Sequence, residues 1–118
     1  MDLNGVLDQY DGWPGRDKWY DPHPDARQFL KGLYERGFKI CVFTARSRLP
    51  DVWAWLDDHG MGKYVTEVTN RKLPSVAYID DRAIQFRGDF RETMAELMNF
   101  YAWWEDPDDT EWPGIPRV

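Results

Sequence analysis

Short apolar runs alternate with amphipathic stretches along the chain, and this alternation predicts an α/β fold. Residues 38–43 and 76–79 have the length and apolar character of buried strands, and residues 65–68 form a weaker run of the same kind. Residues 1–7 resemble the last part of a strand followed by a glycine turn. Because helical stretches separate the strands, we expect a mostly parallel sheet with crossover connections.

Three amphipathic stretches predict helices, and each has residues that favour a helix end. Residues 24–37 begin with a proline and end with a glycine, and residues 50–60 do the same. Asp89 and Glu92 have the spacing of a capping box and open the third helix. This third helix carries the apolar residues Met94, Leu97, Met98 and Tyr101.

The length of the chain, 118 residues, fits one domain. We expect residues 1–105 to form this domain. Residues 106–118 are acidic and interrupted by prolines, so we expect them to form an irregular C-terminal tail.

Charge and cysteine content limit the classes of function. The formal net charge is −6, which argues against non-specific nucleic-acid binding because that binding needs a basic surface. The single cysteine, Cys41, excludes a disulfide within the chain. Since the sequence also shows no signal peptide and no transmembrane run, we expect a cytoplasmic protein with no membrane partner.

Carboxylates follow two of the predicted strands. Asp2 comes at the end of the first strand, and Asp80 and Asp81 follow residues 76–79. In parallel sheets, ligands bind beyond the carboxyl ends of the strands. Three carboxylates gathered there repel one another, and a hard divalent cation relieves that repulsion. The sequence therefore predicts a magnesium site at this edge.

Groups suited to a phosphoryl ligand lie at the same predicted edge. Thr44 ends the strand of residues 38–43 and offers a hydroxyl, and the turn at Ala45 and Arg46 offers backbone N–H groups. Lys72 offers a cation on a flexible stem. Each of these residues taken singly is more often structural than functional. Their order and their placement at successive strand ends favour a phosphate site.

Four ordered motifs resemble those of the haloacid dehalogenase-like (HAD) superfamily of phosphohydrolases. They are residues 2–7, 42–46, 72–74 and 78–83, and the resemblance spans residues 1 to about 105. It implies a Rossmann-like three-layer sandwich with a mostly parallel central sheet. No long insertion lies where this family carries its lids, so the resemblance is to the small capless type.

The resemblance implies a magnesium-dependent phosphomonoester hydrolase in which Asp2 is the nucleophile and forms an aspartyl-phosphate. It assigns magnesium to the Asp2 carboxylate, the Asn4 backbone carbonyl and Asp80, with Asp81 acting through water or by orienting the other ligands. The transferring phosphoryl group is assigned to Thr44, Ala45 and Lys72.

One residue departs from the family's usual pattern. The phosphatases of this family usually carry a second aspartate two residues after the nucleophile, as general acid and base, and here that residue is Asn4. An amide cannot transfer this proton, and such help is typically worth about 10²–10⁴-fold. Three explanations stay open: a natural pseudoenzyme, an enzyme that uses water or a good leaving group, and an engineered trapping variant. The alternative function is a catalytically impaired domain that binds a phosphorylated ligand or a protein partner.

The start of the chain is a second departure, because family members carry about five apolar residues before the nucleophile and here Met1 alone precedes Asp2. A central strand this short leaves backbone groups of its neighbours unpaired. We therefore expect a truncated or misassigned start, or another segment that completes the sheet.

The open site predicted here admits a phosphorylated small molecule or a macromolecular end.

Two groups of aromatic residues are candidates for contact with a substrate or a partner. Trp13, Trp19 and Tyr20 lie on the loop after the first motif, where packing onto the core is favoured over stacking on a substrate ring. The tryptophans near the C-terminus exceed what one helix face buries, which predicts either packing of the tail or a self-association patch: Trp103, Trp104 and Trp112.

Overall fold

The described strands form a two-stranded parallel sheet, and a helix connects them. This computed structural model describes residues 1–12 and 18–105. Strands β1 (Cys41–Phe43) and β2 (Glu67–Thr69) pair in parallel with Val42 opposite Val68, and α2 (Leu49–Asp58) lies between them in the chain. Both strands are shorter than the apolar runs that predict them. The α/β class predicted from the sequence is the class that the described residues show.

The other two helices also lie where the sequence predicts them, with shifted ends. Helix α1 spans Ala26–Glu35, and residues 24 and 25 form the turn before it. Helix α3 spans Phe90–Met98. The predicted proline start holds for α2, where Pro50 stands in the first turn and Asp51 faces the positive end of the helix.

Helices α1 and α2 each end in a hydrogen-bonded turn of the same type. After α2, the N–H of Gly60 donates to the Asp57 carbonyl at 3.1 Å, and the N–H of Met61 donates to the Leu56 carbonyl at 2.8 Å. Gly37 begins the equivalent pair of bonds after α1. The φ angles of Gly37 and Gly60 are +84° and +72°, a region that glycine enters without the clash of a Cβ. The glycine ends predicted for both helices are confirmed.

The core lies between α1, α2 and the strands. Leu30 of α1 and Val52 and Leu56 of α2 are fully buried, and Val42 is the buried centre of β1. The helix positions follow the spacing of three and four residues that places side chains on one face. The remaining core members are Leu3, Leu7, Ala26, Ile40, Trp55, Met61, Tyr64, Val65 and Val68.

Residues 76–79, which the sequence predicts as a strand, form no strand in the structure. The N–H of Asp2 donates to the Ile79 carbonyl at 2.8 Å, but a strand needs a ladder of such bonds along a neighbour. Val76 is 91% exposed. The segment therefore contributes one backbone contact beside Asp2 and not a third paired strand.

The chain divides into two compact units, residues 1–81 and 82–118. In the described part of the second unit, the Asp89 carboxylate accepts the N–H groups of Arg91 and Glu92 at 2.8 and 3.2 Å, which confirms Asp89 as the helix cap. Glu92 pairs with Arg87 at 3.5 Å. Helix α3 stops before Tyr101, and its apolar side chains Phe90, Met94 and Met98 are exposed.

The predicted tail, residues 106–118, lies outside the described residues. In the part of the chain that the structure describes, no helix combines the length and the apolar character that crossing a membrane requires.

Truncation of Leu30 to alanine tests the core. Because Leu30 is fully buried, Leu30→Ala is expected to lower the free energy of unfolding by about 2–5 kcal/mol through lost burial and a residual cavity. Phe29→Ala is the matched control, since Phe29 is next along α1 and 47% exposed. Urea unfolding followed by circular dichroism measures both, and equal losses in the two variants would contradict the packing described here.

Candidate metal and phosphate site

Backbone hydrogen bonds place Asp2 between the ends of two other segments. The N–H of Phe43 donates to the Met1 carbonyl at 2.7 Å, and the N–H of Asp2 donates to the Ile79 carbonyl at 2.8 Å. Asp2 and Phe43 form a parallel bridge. Since Thr44 follows Phe43 and Asp80 follows Ile79, the chain carries Asp2, Thr44 and Asp80 past one edge of these three neighbouring segments.

Three carboxylates meet at this edge. One side-chain oxygen each from Asp2, Asp80 and Asp81 lies within 4.8 Å of the other two. Asp80 is exposed, and Asp2 and Asp81 are half-buried. The structure therefore brings together the three carboxylates that the sequence predicts as a cluster.

The pKa of Asp2 shows the electrostatic cost of this arrangement. Burial raises the pKa of Asp2 to about 9, and a side-chain hydrogen bond to Asp81 and the negative charges of Asp80 and Asp81 act in the same direction. A backbone N–H bond from Leu3 opposes the shift. With no cation beside it, the folded state thus favours the protonated form of Asp2.

The donor set fits a hard divalent cation. All three ligand groups are carboxylates, and their oxygens lie close enough for one ion to contact each of them. A positive charge among them would favour the ionised form of Asp2, against the burial and the negative charges that raise its pKa. Asp80 is exposed, which leaves room for water or other ligands on a bound cation.

Thr44 lies at the end of β1 in a fixed orientation. It is 1% exposed, its N–H donates to the Thr69 carbonyl at 3.0 Å, and its hydroxyl accepts the N–H of Arg46 at 3.0 Å. The hydroxyl hydrogen is not used in that last bond and can be donated to a ligand oxygen. Ala45, at the tip of this turn, is exposed.

Lys72, predicted to hold the phosphoryl group, lies over an aromatic ring. Its side chain is exposed, and its Nζ lies 4.6 Å from the centre of the Tyr78 ring. Among residues 1–12 and 18–105, no ion pair joins Lys72 to Asp2, Asp80 or Asp81. An ammonium group is attracted to the face of an aromatic ring, which accounts for this position of a flexible side chain.

The turn that follows Asp2 is ordered by a residue that sequence reasoning missed. Asn4 (φ −77°, ψ 122°) and Gly5 (φ 82°, ψ 1°) have the angles of a type II turn. The Gly5 N–H donates to Asp8 Oδ1 at 2.8 Å, and Asp8 is 2% exposed. Burial raises the pKa of Asp8 to about 6, although N–H groups of Gly5 and Tyr10 and the charge of Arg46 oppose this. A polar residue directly after the apolar pair Val6-Leu7 was the signal available in the sequence.

The described part of the aromatic loop packs onto the first unit. The Trp19 ring stacks on Trp55, with centroids 6.3 Å apart, and the Arg46 guanidinium lies 3.7 Å from the Trp19 ring centre. Arg46 also donates to the Lys18 carbonyl at 2.8 Å. The packing interpretation is confirmed for Trp19, whereas Trp13 lies outside the described residues.

Near the C-terminus, Trp103 is 61% exposed, and Trp112 lies outside the described residues as well.

Comparison with known proteins gives no match to this chain. No family model matches the sequence, and neither the curated proteins nor the solved structures contain a significant match.

The raised pKa of Asp2 predicts how stability of the metal-free protein depends on pH. The folded-state pKa of about 9 lies above the usual value of 3.8, so this carboxyl group stabilises the fold fully below about pH 4 and loses that contribution as the pH rises toward 9. Asp2→Asn removes the ionisation and is expected to be more stable than the wild type at pH 8, with a smaller decline between pH 5 and 8.

Thermal unfolding in EDTA at several pH values measures this decline. Asp21→Asn is the control, because Asp21 is an exposed carboxylate outside the cluster. If Asp2→Asn and the wild type declined in parallel, the pKa of Asp2 would not be raised in the folded protein.

Proposed function

We propose that this chain is a magnesium-dependent phosphomonoester hydrolase of the HAD superfamily, of the small capless type, acting through an aspartyl-phosphate. The observation that carries the proposal is the meeting of Asp2, Asp80 and Asp81 beside the end of the strand that leads to Thr44. Four sequence motifs resemble that superfamily, and three of them supply these residues.

The proposed fold is the Rossmann-like three-layer sandwich of that superfamily. Its support is the parallel pairing of β1 and β2 around α2 and the position of residues 1–2 between Phe43 and Ile79. Such an order places Asp2 on a central segment of a parallel arrangement, where ligands bind at the carboxyl ends.

In the proposed reaction, a carboxylate oxygen of Asp2 attacks phosphorus, the new Asp2–phosphorus bond forms, and the bond to the ester oxygen breaks. The leaving alkoxide takes a proton from water. Water then cleaves the aspartyl-phosphate, which releases inorganic phosphate and restores the Asp2 carboxylate. The Thr44 hydroxyl donates to a phosphoryl oxygen, and Asp81 orients Asp2 through their hydrogen bond.

Magnesium, when bound, supplies positive charge that offsets the negative charge of the phosphoryl group and of the carboxylates. The residues that would hold it are Asp2, Asp80 and Asp81, together with the backbone carbonyl of Asn4. Lys72 serves the phosphoryl group only after its side chain leaves the Tyr78 ring, which its flexible stem allows.

A second function has its own support: a catalytically impaired domain that binds a phosphorylated ligand or a protein partner. Asn4 stands where the general acid and base is expected, and an amide cannot take or give that proton. Lys72, the cation expected at the phosphoryl group, has its Nζ 4.6 Å from the centre of the Tyr78 ring and makes no ion pair with the clustered carboxylates among residues 1–12 and 18–105.

The proposed substrate is a phosphomonoester on a small molecule or at a macromolecular end, since Asp80 is exposed at the cluster and the sequence has no lid insertion. The cytoplasm is the proposed location, and the negative net charge does not favour non-specific nucleic-acid binding.

Hydrolysis of para-nitrophenyl phosphate separates the two functions. With magnesium, the wild type is expected to release phosphate, and Asp2→Ala is expected to abolish release because the nucleophile is gone. Asn4→Asp is expected to raise the rate by about 10²–10⁴-fold by restoring acid–base help. A wild-type rate equal to that of Asp2→Ala would leave the binding function as the better account.

Magnesium binding is expected to raise the unfolding temperature, since a ligand that binds only the folded state stabilises it by about 2.7 kcal/mol at a concentration of 100 times Kd. Differential scanning fluorimetry with and without magnesium measures the shift. Asp80→Asn is expected to remove most of it, whereas Asp57→Asn, which changes an exposed carboxylate on α2, is expected to retain it. An equal shift in both variants would place the magnesium elsewhere.

A further inference from the structure

Asp8 is a buried carboxylate that the proposed reaction does not use. It is 2% exposed, and the sequence places it six residues after Asp2. Burying a carboxylate is unfavourable unless hydrogen bonds compensate, so the bonds that Asp8 makes indicate what it contributes.

Asp8 holds the turn that follows Asp2 at two points. Its carboxylate accepts the Gly5 N–H at 2.8 Å, and its own N–H donates to the Leu3 carbonyl at 3.2 Å. A further N–H, from Tyr10, reaches the same carboxylate. These bonds join the first residue of the turn and its central peptide group to one residue, so the turn is held as a unit.

The bond to Gly5 fixes the direction of a neighbouring carbonyl. The N–H of Gly5 and the C=O of Asn4 belong to one peptide group, and the described chain contains no cis peptide bond. In a trans peptide these two groups point in opposite directions. The Asn4 carbonyl therefore points away from Asp8, and its direction depends on the bond that Asp8 accepts.

We propose that Asp8 is a positioning residue that orients the Asn4–Gly5 peptide, and with it the Asn4 carbonyl, for metal binding. This inference rests on the proposed function, which assigns the Asn4 carbonyl to the metal. Its physical basis is that groups that orient a ligand without touching the metal set how well that ligand binds, and their loss typically costs about 10–100-fold in metal affinity.

The test is the magnesium affinity of folded variants of the full chain, measured by isothermal titration calorimetry at a temperature where urea unfolding shows each variant to be folded. Asp8→Ala is expected to weaken binding about tenfold or more. Asp8→Asn keeps an oxygen that can accept the Gly5 N–H, so it is expected to fall between the wild type and Asp8→Ala.

Two controls separate positioning from stability and from charge. Val52→Ala removes buried apolar volume on α2 and lowers stability without changing Asp8 or the Asn4–Gly5 peptide. Asp51→Asn removes a negative charge that, like that of Asp8, acts on Arg46. Both are expected to keep the wild-type affinity for magnesium.

The outcomes distinguish this inference from the proposed function. If Asp80→Asn abolishes magnesium binding but Asp8→Ala and Asp8→Asn bind as the wild type does, the positioning role is overturned and the metal site stands. If Asp80→Asn also binds normally, the metal site itself is overturned. Should Asp8→Ala fail to fold, Asp8→Asn decides alone, because a neutral amide oxygen holds the Gly5 N–H less strongly than a carboxylate does: binding weaker than that of Asp51→Asn supports the role, and unchanged binding overturns it. If the Asp8 variants lost no more magnesium affinity than Asp51→Asn does, the positioning role would also be overturned, because the loss of a negative charge would explain the result.

Discussion

The site depends on the pairing of residues 1–2 with their neighbours on both sides. The Met1 carbonyl accepts from Phe43, and the Asp2 N–H donates to the Ile79 carbonyl. Asp2 and Asp80 are far apart in sequence, and the bond to the Ile79 carbonyl is what brings their backbones side by side. The turn at Thr44 is set by the same arrangement, since β1 is the segment to which Met1 bonds.

This geometry carries an electrostatic cost that a bound cation would offset. Asp2 is half-buried beside two other carboxylates, and its pKa is raised to about 9. Clusters of this kind cost stability in the metal-free protein. Carboxylates with a shifted pKa nevertheless concentrate at functional sites, because the chemistry there needs them. Carboxylate clusters also occur in structural roles. The proposed function therefore rests on three features together: the cluster, its position at the strand ends, and the ordered motifs in the sequence.

Sequence reasoning succeeded where the signals are local. Gly37 and Gly60 mark helix ends because no other residue enters a positive φ so easily, and Asp89 marks a helix start because its side chain reaches N–H groups two and three residues later. It failed for residues 76–79, where a strand depends on a partner and not on composition. Sequence alone does not set where the Lys72 ammonium group lies, because its stem is flexible; here Nζ lies 4.6 Å from the centre of the Tyr78 ring, and its role at the phosphoryl group stays a prediction. Asp8 was missed because no periodic pattern distinguishes a buried carboxylate from a turn residue.

The two matching glycine turns have a consequence for which parts of the chain can change. They return the chain from α1 and α2 to the core within a few residues, with Ile40 and Met61 both buried, so the connections that lead into β1 and β2 have little freedom in length or direction. The connections at the opposite ends of the strands carry Thr44 and Lys72 and are mostly exposed. Insertions and substitutions that alter what the protein recognises are therefore better tolerated after the strands than before them, and a library for changing ligand preference would vary residues 45–48 and 70–75.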